Sequence, residues 1–239
     1  MLQLQKTEKR RKTIVQFGIK TTVPSNQVLS NGYTLFQWIT RKKDVPRFWL
    51  RNLTGKDAIK EDEILFLKEK NCKVGFFLND FSEREIATND GTEAALRAIK
   101  AAIALNIPRY AGIAIFIIVP KTWNINHNWM ISFSRRLCEK GFIPGFMGNT
   151  DSSKNFSFDR ECGHFLNATH SVTHYRAVFG ATEPCTHSLQ NGWTPFAPSD
   201  LTPDQIVLWC NDEPITFREI ISEPVYAKDK SVFNHFLAI

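Results

Sequence analysis

A chain of 239 residues with 43% hydrophobic and 23% charged residues has the composition of a folded domain, which excludes wholesale disorder. The net charge is +6, but the first twelve residues carry five basic side chains and one acidic side chain. The rest of the chain therefore carries only +2, which argues against a nucleic-acid-binding surface spread over the whole fold. We assign residues 1–12 to a basic tail, which can be a solvated lead-in, a nuclear address or an arm for an anionic partner, and residues 13–239 to one folded domain.

The cysteines and the apolar runs indicate a cellular compartment. The five cysteines are widely spaced and form no C-x-x-C pair, which favours reduced thiols. No apolar segment of the kind found in signal peptides follows the basic run, and no apolar run is long enough to span a membrane. These observations predict an intracellular protein, either cytoplasmic or nuclear.

The first third of the chain alternates between strand-like and helix-like segments. Apolar runs predict strands at 14–19, 46–53 and 73–78. Amphipathic spacing predicts helices at 33–39 and 57–70.

The middle of the chain has the clearest pattern. Residues 92–105 place apolar side chains at steps of three and four, which is typical of an amphipathic helix, and Pro108 prevents its continuation. Residues 112–119 are the most apolar run, and branched side chains dominate it. A strand of this kind is buried on both faces, which predicts a parallel sheet covered by helices. A helix at 129–139 and a strand at 141–148 repeat the pattern.

The C-terminal third is less regular. We predict a short helix at 159–167, a strand at 173–179, a proline-rich loop at 182–203 and a strand at 206–210, with the tail to Ile239 packing as a closing helix. The units of strand, helix and strand recur about every 30 residues, which predicts right-handed crossovers. The predicted fold class is therefore α/β: a single (β/α)8 TIM-type barrel, irregular in its C-terminal third.

A series of landmarks along the chain resembles a known family. They are Gly18-Ile19, Pro46 to Trp49, Arg51, Asn79, Asn106 to Pro108, Gly141 to Gly145 and Leu208-Trp209. In order and spacing, over residues 13–215, they resemble the glycoside-hydrolase-like TIM-barrel family. That family is a bacterial domain related to the lysozyme-type barrels that cut peptidoglycan.

The resemblance implies an acidic residue after the first strand and another after the fourth strand. Lys20 and Pro120 occupy these two positions. Glycoside hydrolysis needs two carboxyl groups, one to protonate the leaving oxygen and one to activate water or attack the sugar. Neither lysine nor proline can perform these roles. The catalytic chemistry implied by the family therefore does not transfer, and the sequence favours a protein that is not an enzyme.

Three other carboxylates follow predicted strands and offer an alternative acid and base. They are Asp80, Asp212 and Glu213. The same residues can instead be ordinary loop residues, helix caps or partners for Lys20. Catalysis would require two of them to lie about 5 to 9.5 Å apart.

Side chains suited to sugar contact lie near the same strand ends. Asn79 follows the third strand, and the aromatic residues Phe81, Trp123 and Trp193 lie in or beside neighbouring loops. Flat rings can stack on the apolar faces of sugars, but large aromatic residues also anchor loops to the protein body.

Metal and cofactor sites have little support in the sequence. His170 and His174 would share a face if their segment were helical, as zinc ligands often do, but we predict a strand there. The chain contains no phosphate loop and no dinucleotide fingerprint. We therefore expect neither a metal nor a cofactor.

These observations lead to one preferred function and two alternatives. The preferred hypothesis is a catalytically degenerate glycoside-hydrolase-like barrel that acts as a binding or structural protein, with a glycan or a protein as its partner. The first alternative is an active, lysozyme-like glycoside hydrolase that uses relocated carboxylates. The second is a self-assembling or host-interaction protein in which the barrel serves as a frame.

Overall fold

The computed structural model describes residues 15–151, 155–169, 175–182, 192–198, 200–210 and 213–238. The strands are β1 (Gln16–Thr21), β2 (Phe48–Asn52), β3 (Lys73–Leu78), β4 (Ala114–Ile118), β5 (Ile143–Gly148), β6 (Val178–Ala181), β7 (Ile206–Trp209), β8 (Ile215–Phe217) and β9 (Ile220–Ala227). The α-helices are α1 (Leu35–Lys42), α2 (Glu61–Glu69), α3 (Glu83–Ile86), α4 (Thr92–Ala104), α5 (His127–Glu139) and α6 (Ser157–Thr169). Short 3-10 helices cover Pro203–Gln205 and Lys230–His235.

The strands form a closed barrel. From β1 to β7, each strand pairs in parallel with the next strand along the chain. β9 pairs antiparallel with both β7 and β1 and so closes the sheet into an eight-stranded ring. β8 pairs with β9 as a short antiparallel hairpin. Among the helices that the structure describes, none is both long enough and apolar enough to cross a membrane.

The strands predicted up to residue 148 coincide with β1 to β5, and the strand predicted at 173–179 overlaps β6 only at 178–179. Two further predictions for the C-terminal part are wrong. The tail does not pack as a closing helix, because it forms β8, β9 and a 3-10 helix. The last barrel strand is antiparallel, so the sheet is mixed and not the uniformly parallel sheet of a (β/α)8 barrel. Pro224 lies within β9, and a proline at that place would break a helix because it lacks an N–H and clashes with the preceding turn.

Glycines make room for large side chains inside the barrel. Four of them lie directly opposite a large residue of the neighbouring strand: Gly18 and Phe48, Gly75 and Leu50, Gly145 and Phe116, Gly180 and Met147. A Cβ atom added at any of the four would come within 2.6 Å of the facing side chain. The interior is therefore filled to contact, and small residues at these positions are a packing requirement.

The amino-terminal ends of the strands are closed by apolar side chains from the end of the chain. The Phe236 ring lies 5.0 Å from the Phe48 ring at the start of β2, measured between centroids. Leu237 forms a backbone bridge with Val74 at the start of β3. The 3-10 helix Lys230–His235 therefore fits over this end of the barrel, and Phe236 is buried beneath it.

A buried ion pair outside the barrel fixes the carboxyl end of β1. The Arg51 Nε donates to Glu63 Oε1 at 2.8 Å and an Arg51 terminal nitrogen donates to Glu63 Oε2 at 3.0 Å, with both side chains at most 2% exposed. The other terminal nitrogen of Arg51 donates to the Thr21 carbonyl at 2.7 Å. Two charges buried in this way require full hydrogen bonding, so the pair orients the end of β1 relative to α2.

Candidate functional site

A cleft of about 310 Å³ lies at the carboxyl ends of the parallel strands. It is lined by residues from β1, β3, β4 and β9 and from the segments that follow: Lys20, Thr21, Thr22, Phe77, Asn79, Ile118, Pro120, Ile221 and Glu223. Parallel strands all end at the same face of a barrel, and α/β barrels hold their sites there. The cleft therefore brings together Lys20, Asn79 and Pro120, which are far apart in the sequence.

An ion pair spans one side of the cleft. Lys20 on β1 lies opposite Glu223 on β9, and the Lys20 Nζ is 2.8 Å from the Glu223 Oε2. The Lys20 side chain is 14% exposed and the Glu223 side chain is 39% exposed, so the carboxylate faces the solvent side of the pair. Among the described residues that line the cleft, Glu223 supplies the carboxylate, and a lysine neutralises it.

Two asparagines add amide groups at this end of the barrel. Asn79 lines the cleft directly. Asn52, at the end of β2, is two residues beyond Leu50, and strand alternation places both on the interior face. Asn52 is 1% exposed, and neither polar atom of its amide has a hydrogen-bond partner in the described part of the chain.

The carboxylates that were candidates for catalysis do not converge on the cleft. Asp80 accepts a hydrogen bond from the Thr54 hydroxyl and lies 3.5 Å from the Arg97 Nε, so structural partners engage it. Glu213 is exposed and does not line the cleft. Asp212 lies outside the described residues.

The aromatic candidates pack against other rings. Phe81 and Trp123 lie edge to face with their centroids 6.1 Å apart, and both pack against the core while remaining partly exposed. Trp193 lies edge to face with Trp209 at 5.6 Å, and its indole N–H donates to the carbonyls of Pro203 and Ile206, each at 3.1 Å. Trp193 therefore anchors the segment before β7 to the barrel.

The carboxyl of Asp159, near the same end of the barrel, has a raised pKa. Asp159, in the first turn of α6, is 9% exposed, and its Oδ1 has no hydrogen-bond partner among the described residues. Burial, and then the negative charge of Asp151, raises the pKa of the Asp159 carboxyl above its usual value. A carboxyl that holds its proton to a higher pH is suited to donate it.

Two thiols, the buried Cys72 and the half-buried Cys138, are unsuited to nucleophilic chemistry. Burial raises the pKa of Cys72 and that of Cys138 to about 11, so both thiols stay protonated at neutral pH.

The histidines that were considered as metal ligands, His170 and His174, lie outside the described residues. The structure instead brings together three other potential ligands, His127 from α5 with Glu161 and His164 from α6. Because α5 and α6 are separate helices, their packing rather than a sequence motif forms this cluster.

Sequence reasoning missed Glu223, Asn52 and Asp159. Glu223 was overlooked because its segment was predicted to be helical, and Pro224 beside it was the signal against a helix. Asn52 ends a predicted strand, and the alternation with Leu50 could have placed it on the interior face. Asp159 carries no sequence signal, because its burial depends on how α6 packs.

No family model matches the chain, and no curated protein is detectably similar to it in sequence. Solved structures do share its fold. An uncharacterized protein of B. stearothermophilus superposes with a TM-score of 0.74 at 20% identity, covering 93% of this chain and 100% of that one. A Tat-secreted protein of Mycobacterium tuberculosis gives 0.53 at 11% identity, with 89% and 95% covered. A family GH25 lysozyme from Aspergillus fumigatus gives 0.52 at 10% identity, with 88% and 93% covered.

At these identities the comparisons show the fold alone. The chain has a lysozyme-like, glycoside-hydrolase-like barrel fold. Its function must be argued from its own residues, because one barrel fold hosts many functions.

Proposed function

We propose that this chain is a degenerate glycoside-hydrolase-like barrel that binds a saccharide at the carboxyl ends of its strands and does not cleave it. The observation that carries the proposal is the ion pair between Lys20 and Glu223 in the cleft. A lysine occupies the position at the end of β1 where the family has an acidic residue. The fold shared with a lysozyme supports a glycan as the class of ligand.

The cleft lacks the chemistry of hydrolysis among its described residues. Retaining and inverting glycosidases both need two carboxyl groups, about 5 to 9.5 Å apart. The cleft offers Glu223, whose carboxylate is paired with Lys20 at 2.8 Å. Among the described residues that line the cleft, no second carboxyl group completes the pair that hydrolysis requires.

The polar and apolar residues that line the cleft are suited to binding a sugar. Lys20, Asn79 and Glu223 offer hydrogen-bond donors and acceptors for hydroxyl groups. Phe77, Ile118 and Ile221 supply an apolar wall against which the C–H face of a sugar ring can pack. A cleft with apolar walls and a few polar groups is typical of a binding site for small polar molecules.

The test is a binding and cleavage panel of chitin and peptidoglycan fragments, read by calorimetry and by release of reducing ends. We expect binding without release of reducing ends. Lys20→Met and Asn79→Ala should each weaken binding by about tenfold or more, because each removes a hydrogen-bonding group from the cleft. Glu213→Gln is the matched control, because that exposed carboxylate lies outside the cleft. Binding that neither cleft variant weakens would overturn the proposal.

A second candidate function, an active glycoside hydrolase, is favoured by Asp159. The raised pKa of its carboxyl is the property of a general acid. If the wild-type protein released reducing ends, Asp159→Asn and Glu223→Gln would identify the acid and its partner carboxylate. Turnover abolished by either change would replace the binding proposal with this one.

A further inference from the structure

We propose that His127, Glu161 and His164 form a binding site for a divalent transition metal of the Zn²⁺ class, which links α5 to α6 outside the barrel. The site is separate from the cleft and does not depend on the function proposed for it.

The three side chains come from two helices. His127 is the first residue of α5. Glu161 and His164 are three residues apart on α6, a spacing that places them on the same face of the helix. The two histidine rings lie edge to face with centroids 5.3 Å apart, and the carboxylate of Glu161 contacts both.

The donor atoms are spaced as metal ligands are. The Glu161 Oε2 is 2.8 Å from the His127 Nδ1 and 3.5 Å from the His164 Nδ1. All three donor atoms lie within 4.8 Å of one another. Ligand atoms about 2 Å from a tetrahedral ion are about 3.3 Å apart, so the two measured distances bracket the required value. Small side-chain rotations would place an ion between the three groups.

The chemistry of the donor set selects the class of metal. Two imidazoles and one carboxylate suit Zn²⁺ and neighbouring first-row ions, whereas Ca²⁺ and Mg²⁺ prefer oxygen ligands. The Glu161 Oε1 accepts a hydrogen bond from the Arg160 Nε at 3.1 Å. The Glu161 Oε2 faces both histidine rings and also accepts the His127 backbone N–H at 3.3 Å, so its remaining acceptor capacity is the one available to a metal. Three protein ligands leave a fourth position open to water.

The exposure of the residues permits metal entry. The side chains of His127, Glu161 and His164 are 30%, 13% and 54% exposed, so the carboxylate is sheltered while one histidine is at the surface. A metal here would cross-link the start of α5 to the second turn of α6. Any ligand that binds the folded chain in preference to the unfolded chain stabilises the fold.

The test uses the full chain, treated with a chelator and dialysed, and titrated with Co²⁺ and then with Zn²⁺. Visible absorption of Co²⁺ reports the geometry of the site. The melting temperature with and without Zn²⁺ reports how much metal binding stabilises the fold. We expect an absorption band of nitrogen and oxygen ligation that Zn²⁺ displaces, together with a higher melting temperature in Zn²⁺.

His164→Ala is the decisive variant, because this exposed side chain can be removed without disturbing the core. We expect it to weaken metal binding by at least about tenfold. Even residues that only hydrogen-bond to a metal ligand typically cost that much affinity when they are replaced. Glu161→Gln should do the same.

Two controls complete the design. His235→Ala removes a histidine on the opposite end of the barrel and should leave binding unchanged. Arg136→Gln removes a positive charge from the opposite end of α5, where Arg136 pairs with Glu139, and should not weaken binding. The proposal is overturned if the wild-type protein binds no Co²⁺, or if its binding and its Zn²⁺-dependent melting shift persist in both His164→Ala and Glu161→Gln.

Discussion

The two ends of the barrel present different side chains. At the amino-terminal end of the strands, Phe236 packs on Phe48 and the chain terminus covers the opening. At the carboxyl end, Lys20, Asn79 and Glu223 line an open cleft. One end is therefore closed by apolar contact, and the other presents polar groups to solvent. The difference predicts that substitutions at the closed end affect stability more than substitutions at the cleft do.

Strand β9 and the 3-10 helix that follows it contribute residues to both ends of the barrel. β9 runs antiparallel to its neighbours, so it begins at the cleft, where it supplies Glu223, and ends near the closed end. The 3-10 helix Lys230–His235 follows it and covers that end. The antiparallel strand therefore closes the ring and also places Glu223 in the cleft. It leads into the segment whose Phe236 covers the opposite end of the barrel.

The largest effect is expected at the closed end. Phe236→Ala removes a ring that is 1% exposed, and the loss of a buried phenylalanine costs about 3 to 5 kcal/mol of the free energy of unfolding. Urea unfolding followed by circular dichroism measures it. Ile103→Ala, at a side chain 52% exposed, is the control and should change the free energy by no more than about 0.5 kcal/mol. Equal losses in both variants would show that the end of the barrel is not packed as described.

The middle of the barrel should show an intermediate effect. Gly145→Ala places a Cβ atom 2.5 Å from the Phe116 ring, which is fully buried, and overpacking of this kind costs about 1 to 3 kcal/mol. Gly163→Ala makes the same chemical change in α6, where the nearest atom would be 3.5 Å away. In a helix this change should stabilise the fold by about 0.4 to 1 kcal/mol. Opposite signs in thermal or urea unfolding would support the packing argument, and a loss in both variants would contradict it.

The first five parallel strands could be predicted from sequence because they are largely buried on both faces. Such strands appear as apolar runs, and the run at 112–119 is the clearest case. β9 is different, because partly exposed residues are spread along it and it contains a proline. Its direction depends on closing the ring, which no local pattern in the sequence encodes.

The cleft was predictable in part for the same reason. Lys20 lies near the end of β1, and Asn79 and Pro120 follow β3 and β4. Parallel strands end at a common face, so the convergence of these residues follows from the fold class. Glu223 enters from the antiparallel strand, so it could be found only once the direction of β9 was known. The cluster of His127 with Glu161 depends on the packing of two helices whose contact residues are 34 positions apart.

The smallest effect, and the one most specific to the open end, concerns the pH dependence of stability. Burial, and then the charge of Asp151, raises the pKa of the Asp159 carboxyl in the folded state above its usual value. Between these two pKa values the folded state binds more protons than the unfolded state, so the free energy of unfolding falls as pH rises. The penalty is absent below the unfolded pKa and reaches its full size above the folded pKa. Asp159→Asn removes it, so the variant should be more stable than the wild type at pH 7, with the gain disappearing at about pH 3.

Asp90 provides a control of opposite sign. Hydrogen bonds from the Thr92 side chain and backbone lower the pKa of its carboxyl. This interaction favours the folded state above the unfolded pKa and is lost as pH falls through the folded pKa. Asp90→Asn should therefore be less stable than the wild type at pH 7, with the difference shrinking in acid. Urea unfolding at a series of pH values distinguishes the two carboxyls. If Asp159→Asn were less stable than the wild type at pH 7, as expected for Asp90→Asn, the pKa of Asp159 would be lowered and not raised. Asp159 would then be unsuited to act as a proton donor.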